Sequence, residues 1–332
     1  MIRRRSNRSR HRRQKMKRNA IILGIFFLIV GSVVIGFKFI SKHNKGNVQI
    51  TTKPNKEINS DDKEVVGNNE NKEVTDNSEE VESNIVDNTN YLELKDDINA
   101  DDAVMVAENT KGLLNGTKHY PVRTDGKKVV YLTFDDGPST TNTPEILNVL
   151  DRYNVKATFF TLGKSIEANE EAKNILKDTA KRGHAIANHS YSHDYSYLYP
   201  NRTMNVNNIV SDIEKSNSIM REVLGESFST RVIRFPGGYW SWEGRTAMKE
   251  AMEQNGYYNV DWNALNKDAE GKQKNADELL QSTKETVEAL GPDADSVVLL
   301  MHDTYGKEET VKALPQIIEY LQEKGFEFRT IK

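Results

Sequence analysis

From Lys127 to the C-terminus, short apolar, β-prone runs alternate with stretches of helical period, and this alternation constrains the fold more than any other feature. The runs cover 129–133, 157–161, 185–188, 232–234, 258–261, 297–301 and 326–330. The helical periods between them cover 143–152, 166–182, 206–224, 246–254, 276–290 and 310–324. Strands separated by helices form parallel βαβ units whose helices cover the sheet. Seven such strands fit either an incomplete barrel or an open doubly wound sheet. No G-x-G-x-x-G follows the first run, which weakens a dinucleotide-binding sheet. The expectation is therefore an α/β fold over 127–332, built as a distorted, incomplete (β/α) barrel with its chemistry at the C-terminal strand ends.

The residues upstream differ in character. Positions 1–18 hold ten Lys/Arg and no acid, and from Ala20 to Phe37 every residue is apolar or small. A helix of 18–21 residues is about 27–31 Å long, enough to cross a bilayer. A cleaved signal peptide is the competing reading, but the apolar run is long and has no A-x-A-like exit. The expectation is an uncleaved transmembrane anchor over 19–40, with the basic segment 1–18 cytoplasmic and the 127–332 domain extracellular at the cell membrane. Without those ten cations, 36 Lys/Arg face 49 Asp/Glu, which disfavours nucleic acid as a partner. Residues 41–90 are rich in Asn, Lys, Glu, Asp, Ser and Thr, with no aromatic residue, and read as a disordered linker. A short pre-domain segment, 91–126, offers Leu92, Leu94, Ile98, Val104, Val106 and Leu113 for docking on the main domain. Cysteine is absent, so any metal must be held by His and carboxylate. A monomer is assumed.

Polar motifs stand where the apolar runs end. Asp135 and Asp136 follow the first, within Thr133-Phe134-Asp135-Asp136-Gly137-Pro138. His189 and His193 follow the third, Arg234 closes the fourth and His302 closes the sixth. His189 and His193 are four apart, a spacing that on a helical turn puts both imidazoles on one face. With one carboxylate they make a three-ligand site with an open position, typical of catalytic zinc. Alone the spacing is weak, since most such pairs are surface or capping residues; three of seven histidines at strand ends strengthen it. Asp-Asp-Gly-Pro is also ordinary turn chemistry. Two adjacent carboxylates repel unless their roles are separated, for instance by a metal on one and an arginine such as Arg234 on the other. Tyr239, Trp240 and Trp242, with Tyr191, Tyr195, Tyr197 and Tyr199, fit sugar stacking and loop packing equally well.

In the order T-F-D-D-G-P, H-[ST]-x-x-H, R-x-P-x-G and L-x-H, these motifs resemble the NodB-homology polysaccharide deacetylases, carbohydrate esterase family 4, over roughly 127–332. Membrane-anchored peptidoglycan N-acetylglucosamine deacetylases of Gram-positive bacteria share the layout. The resemblance implies that Asp136, His189 and His193 bind Zn2+ or another divalent transition metal such as Co2+. It further implies Asp135 as general base for the attacking water, His302 as the acid that protonates the departing amine, and Arg234 as the residue orienting Asp135. A backbone N–H near Gly237 would hold the oxyanion, and Leu300 would line the acetyl pocket. The implied activity is hydrolysis of N-acetyl groups from cell-wall glycan, releasing acetate.

The fourth motif departs from the family pattern. Aligning 262–269 puts Leu265 at an aspartate position and Ala269 at a tryptophan, while Asp268 is retained as a substitute partner for His302. Gly237 stands where an aromatic residue is common, which implies a more open groove. Deacetylation of a secreted exopolysaccharide or an O-acetylated polymer, and a non-catalytic glycan-binding module, are the competing readings.

Overall fold

The computed structural model describes residues 91–332. The basic segment 1–18, the anchor 19–40 and the linker 41–90 expected from the sequence lie outside the described residues. Among the described residues no helix is long and apolar enough to cross a membrane.

Among the described residues ten strands occur in chain order: β1 (Ala100–Asp101), β2 (Val129–Asp135), β3 (Thr158–Thr161), β4 (Ala185–Asn188), β5 (Val232–Ile233), β6 (Tyr258–Asn259), β7 (Ala264–Leu265), β8 (Ser296–His302), β9 (Glu327–Phe328) and β10 (Thr330–Ile331). Nine helices accompany them among the described residues. They are α1 (Ala103–Asn115), α2 (Asn142–Arg152), α3 (Gly163–Glu167), α4 (Glu170–Lys181), α5 (Tyr195–Leu198), α6 (Val206–Leu224), α7 (Arg245–Asn255), α8 (Ala276–Ala289) and α9 (Glu308–Glu323). One parallel sheet runs in the order β6-β5-β4-β3-β2-β8-β7, with β9 beside the start of β2. Its outer strands β6 and β7 are not paired to each other, so the curled sheet is the incomplete barrel expected.

Side chains alternate across a strand, and here the alternation separates two cores. Val130, Leu132 and Phe134 face outward and pack with Phe159, Ile186, Val297, Leu299 and Met301 beneath the helices. Val129 and Tyr131 face inward and meet Phe160, Ala187, Val232, Val260 and Val298 in the barrel interior. Strand β2 is buried along its whole length, which is why it reads as a continuous apolar run.

The segment before the barrel is part of that interior. Ala103 and Val106 of α1 join the inward cluster, and β1 pairs in parallel with β10. Arg123 binds Asp101 Oδ2 at 2.8 Å and the Tyr131 hydroxyl at 2.9 Å, tying the segment to β2. Of the residues expected to dock, Val106 does so, whereas Ile98 and Leu92 are exposed.

Three element expectations need correction. The helix expected over 166–182 is two helices, because Asn169 caps α4 by accepting from the Ala172 N–H at 2.9 Å. Apolar periodicity carries through such a break, so spacing alone conceals it. The strand expected over 326–330 is β9 and β10, one paired with β2 and the other with β1. Strand β7 was not expected; two residues are too few to display a period.

Candidate active site

The inward alternation of the strands continues past the apolar core to the C-terminal rim. On β2 the face of Tyr131 is also that of Thr133 and Asp135; on β8 the face of Val298 is also that of Leu300 and His302. By the same rule Arg234 follows Val232 and His189 follows Ala187. Asp135 and His302 are direct register partners across β2 and β8.

Asp135 and Arg234 form a buried pair, 2% and 1% exposed, with Nη1 donating to Asp135 Oδ1 at 2.6 Å. Arg234 is itself fixed: Nη1 also donates to Thr133 Oγ1 at 3.0 Å, and Nε donates to the Val260 carbonyl at 2.8 Å. Its guanidinium lies 3.9 Å from the Phe160 ring centroid. Burial pushes the Asp135 carboxyl upward, while the charges of Arg234 and His302 work against it. A carboxylate so placed is a stronger base than one free in water.

Asp136, His189 and His193 converge beside this pair. Asp136 Oδ1 lies 3.5 Å from His189 Nε2 and 3.4 Å from His193 Nε2. His189 Nδ1 is 2.8 Å from the Arg234 carbonyl, which can only accept. Nδ1 therefore carries the proton, and the Nε2 lone pair points at the cluster. Burial drives the His189 pKa down to about 3, so the ring is neutral and able to ligate. Asp136 Oδ1 is buried with no hydrogen-bond partner. An orphaned carboxylate oxygen and two imidazole nitrogens form the donor set of a first-row divalent metal. Two donors each about 2.0–2.2 Å from a tetrahedral ion stand about 3.4 Å apart, so the observed separations fit one.

The expected helical turn at the histidines is absent. Residues 189–194 form an irregular loop in which Ser190 (φ 79°) and His193 (φ 51°) adopt left-handed backbone, as does Asp136 (φ 76°). Non-glycine residues rarely hold that conformation, and it concentrates at functional sites where neighbours enforce it. Asp212 of α6 is such a neighbour: its Oδ2 accepts from the Tyr191 and Ser192 N–H groups, both at 2.9 Å. Ser190 Oγ accepts from the His193 N–H at 3.0 Å.

Asp268 is the partner of His302. Its Oδ1 accepts from Nδ1 of His302 at 2.7 Å, and its Oδ2 accepts from the His302 N–H at 2.9 Å and from Thr310 Oγ1 at 2.7 Å. Burial alone would lower the His302 pKa, but the Asp268 charge and hydrogen bond raise it to about 9. Leu265, at the aligned aspartate position, contributes strand pairing to Leu300 and nothing to His302. The anionic support in doubt at the fourth motif is therefore present, three residues further along the chain.

The groove at Gly237 is not more open. Gly237 has φ 76°, and a Cβ there would meet Trp242 Cζ2 at 3.1 Å and the Tyr195 hydroxyl at 3.2 Å. Tyr195 and Trp242 fill the space that glycine vacates. Trp242, Tyr199 and Tyr239 are buried, Trp242 stacks on Tyr199 at 4.0 Å, and its Nε1 donates to the Pro236 carbonyl, so those three rings are packing. Leu300 is buried at the inner rim.

Four contributors were not assigned a role from the sequence: Thr133, Asp212, Thr310 and Asp303. Thr133 could have been suspected, since a polar residue on the inward face of an apolar strand needs a partner. Asp303 is buried with its carboxylate where a Cβ on Gly137 would sit, 2.2 Å from Oδ2, and it accepts from Thr143 Oγ1 at 2.6 Å. Burial raises its pKa to about 7.

Residues 122–260 match the family described as Polysaccharide deacetylase. A bifunctional xylanase/deacetylase of Pseudobutyrivibrio xylanivorans is 33% identical over 63% of this chain, which spans only 30% of that longer protein. A peptidoglycan-N-acetylglucosamine deacetylase of Bacillus cereus is 30% identical over 68% of this chain and 77% of the relative. Among solved structures, a Streptococcus mutans CE4 esterase superposes with a TM-score of 0.61 at 36% identity, covering 68% of this chain and 91% of that one. With the motifs and the curled parallel sheet, these likenesses establish that the chain belongs to the polysaccharide deacetylases, the CE4 family of hydrolases.

Proposed function

We propose that the protein is a metal-dependent deacetylase of cell-wall glycan, removing N-acetyl groups from peptidoglycan amino sugars and releasing acetate. The carrying observation is that a base pair (Asp135–Arg234), a three-donor metal cluster (Asp136, His189, His193) and an acid pair (His302–Asp268) share one barrel rim. The polymer is inferred from relatives named as peptidoglycan-N-acetylglucosamine deacetylases. The basic head and apolar run of residues 1–40 support membrane anchoring with the domain facing outward.

A divalent ion such as zinc, which Asp136, His189 and His193 would hold, would supply positive charge to polarise an acyl carbonyl and acidify water. Asp135, held in one orientation by Arg234, takes the proton as the water oxygen bonds to the acetyl carbon. The Gly237 backbone N–H supports the oxyanion. His302, protonated below about 9 through Asp268, gives its proton to nitrogen as the C–N bond breaks, because an amide anion is a very poor leaving group. The products are acetate and a free sugar amine, and Leu300 bounds the pocket for the acetyl methyl.

Acetate release by residues 91–332 from purified peptidoglycan and from chitin-type oligomers, with and without added zinc, tests this reading. The expected result is zinc-dependent release reduced by at least ~10³-fold in Asp135→Asn. Release that Asp135→Asn leaves unchanged, or none from any acetylated glycan, overturns it.

A further inference from the structure

On the deacetylase reading Gly237 stands beside the oxyanion, and the space its missing side chain leaves is taken by Trp242 and by Tyr195, which comes from another loop. Tyr195 is the first residue of α5, fixed there by Asp194, whose carboxylate accepts from the Ser196 and Tyr197 N–H groups. Its ring packs on the His193 imidazole, centroids 5.2 Å apart and planes inclined by 34°. Its other side meets Trp242 edge-on at 5.1 Å. The ring is thus wedged between a metal-ligating histidine and a buried tryptophan, which leaves the hydroxyl little freedom.

That hydroxyl lies 3.2 Å from the Cβ position of Gly237 and is within electrostatic reach of Asp136 and Asp135. Among the described residues it makes no hydrogen bond to the protein, although the side chain is half-buried. A half-buried donor without a protein partner is available to a ligand. The space beside it is bounded by His193 and Gly237, and on the deacetylase reading it is the Gly237 backbone N–H that meets the acetyl oxygen there.

We propose that the Tyr195 hydroxyl is a catalytic hydrogen-bond donor to the acetyl oxygen, strengthening as that oxygen gains charge. Gly237 then serves the reaction twice: its backbone approaches the oxygen, and its missing side chain admits the hydroxyl. The inference rests on the deacetylase reading and deepens it. A hydroxyl fixed by packing needs no reorganisation when charge develops, and loss of one oxyanion donor typically lowers kcat by about 10²–10³.

Tyr195→Phe keeps the ring, and with it the packing on His193 and Trp242. In zinc-saturated protein with a chitin oligomer, kcat should fall by about 10²-fold or more while KM changes little. Zinc affinity, read by competition with a chromogenic chelator, should stay within about twofold of wild type. A kcat within about twofold of wild type overturns the proposal, as does a rise confined to KM, which would mark a ground-state sugar contact. Weakened zinc affinity with kcat restored at saturating zinc also overturns it, since Tyr195 would then only brace His193. Acetohydroxamate binding to the zinc-loaded protein reads the same contact without turnover and should weaken about tenfold in Tyr195→Phe; equal affinity again overturns the proposal. Wild-type protein inactive on every glycan would refute the deacetylase reading, whereas an active wild type matched by Tyr195→Phe would refute only the role of the hydroxyl.

Discussion

Replacing Asp268 by Asn should move the pH profile of the enzyme in a direction the structure dictates. Asp268 accepts from His302 twice, through Nδ1 at 2.7 Å and through the backbone N–H at 2.9 Å, and its charge does most to lift the His302 pKa to about 9. At pH 7.5 a group with that pKa is ~97% protonated, whereas one at the usual 6.5 is ~10% protonated. Because burial by itself lowers the pKa of His302, the variant should fall to 6.5 or below. The acid form is then lost about tenfold at pH 7.5. Misorientation of the ring adds to this, because an amide has one acceptor oxygen and cannot accept both from His302 Nδ1 on one side and from the His302 N–H and Thr310 Oγ1 on the other. Overall kcat at pH 7.5 should drop by about 10–100-fold. In wild type, the alkaline limb of kcat should fall near 9, or lower once a cation offsets the smaller contributions of Asp136 and Asp135. In the variant it should fall at least about two units lower. Stability follows the same sign: the raised His302 pKa contributes stability that is full below about 6.5 and is lost as pH rises through about 9. Asp268→Asn should remove that slope in urea unfolding. An alkaline limb that stays in place, measured on folded and zinc-loaded variant, would refute the acid role assigned to His302.

Two further changes probe the frame around the site. Arg234→Met strands the Asp135 carboxylate in the barrel interior and should cost about 3–5 kcal/mol in urea unfolding, with much of the loss recovered in Arg234→Met/Asp135→Leu; additive losses would show the pair to be uncoupled. Gly137→Ala places a Cβ 2.2 Å from Asp303 Oδ2, so the loop carrying Asp136 must shift and zinc affinity should fall at least about tenfold. Asp303→Ala in the same chain should relieve that effect, and an unchanged zinc affinity in Gly137→Ala alone would show that the loop tolerates the displacement.

The barrel, its helical cover and the rim location of the chemistry were legible in the sequence, because buried parallel strands impose apolar runs and the motifs stand where those runs end. The packing of Ala103 and Val106 into the barrel interior was only partly legible, since a helix that plugs a barrel reads like any other amphipathic helix. Asp268 was named as a substitute partner, but its double hold on His302 depends on a turn in which Lys267 has φ 63°, and residue spacing cannot express that. The helical reading of the histidine pair failed for the same reason: Asp212, from a distant helix, supplies the hydrogen bonds that keep those residues in a loop.

By itself the sequence determined which polar side chains stand at the strand ends and that alternating strands and helices would bring them to one rim. Only the tertiary structure decided that His189 and His193 sit on a loop and not on a helical turn, that Asp268 holds His302 through both carboxylate oxygens, and which ring occupies the space beside Gly237. Local sequence fixes periodicity and turn chemistry. The orientation of a buried polar group is set by partners distant in the chain, through hydrogen bonds that must be satisfied once water is excluded.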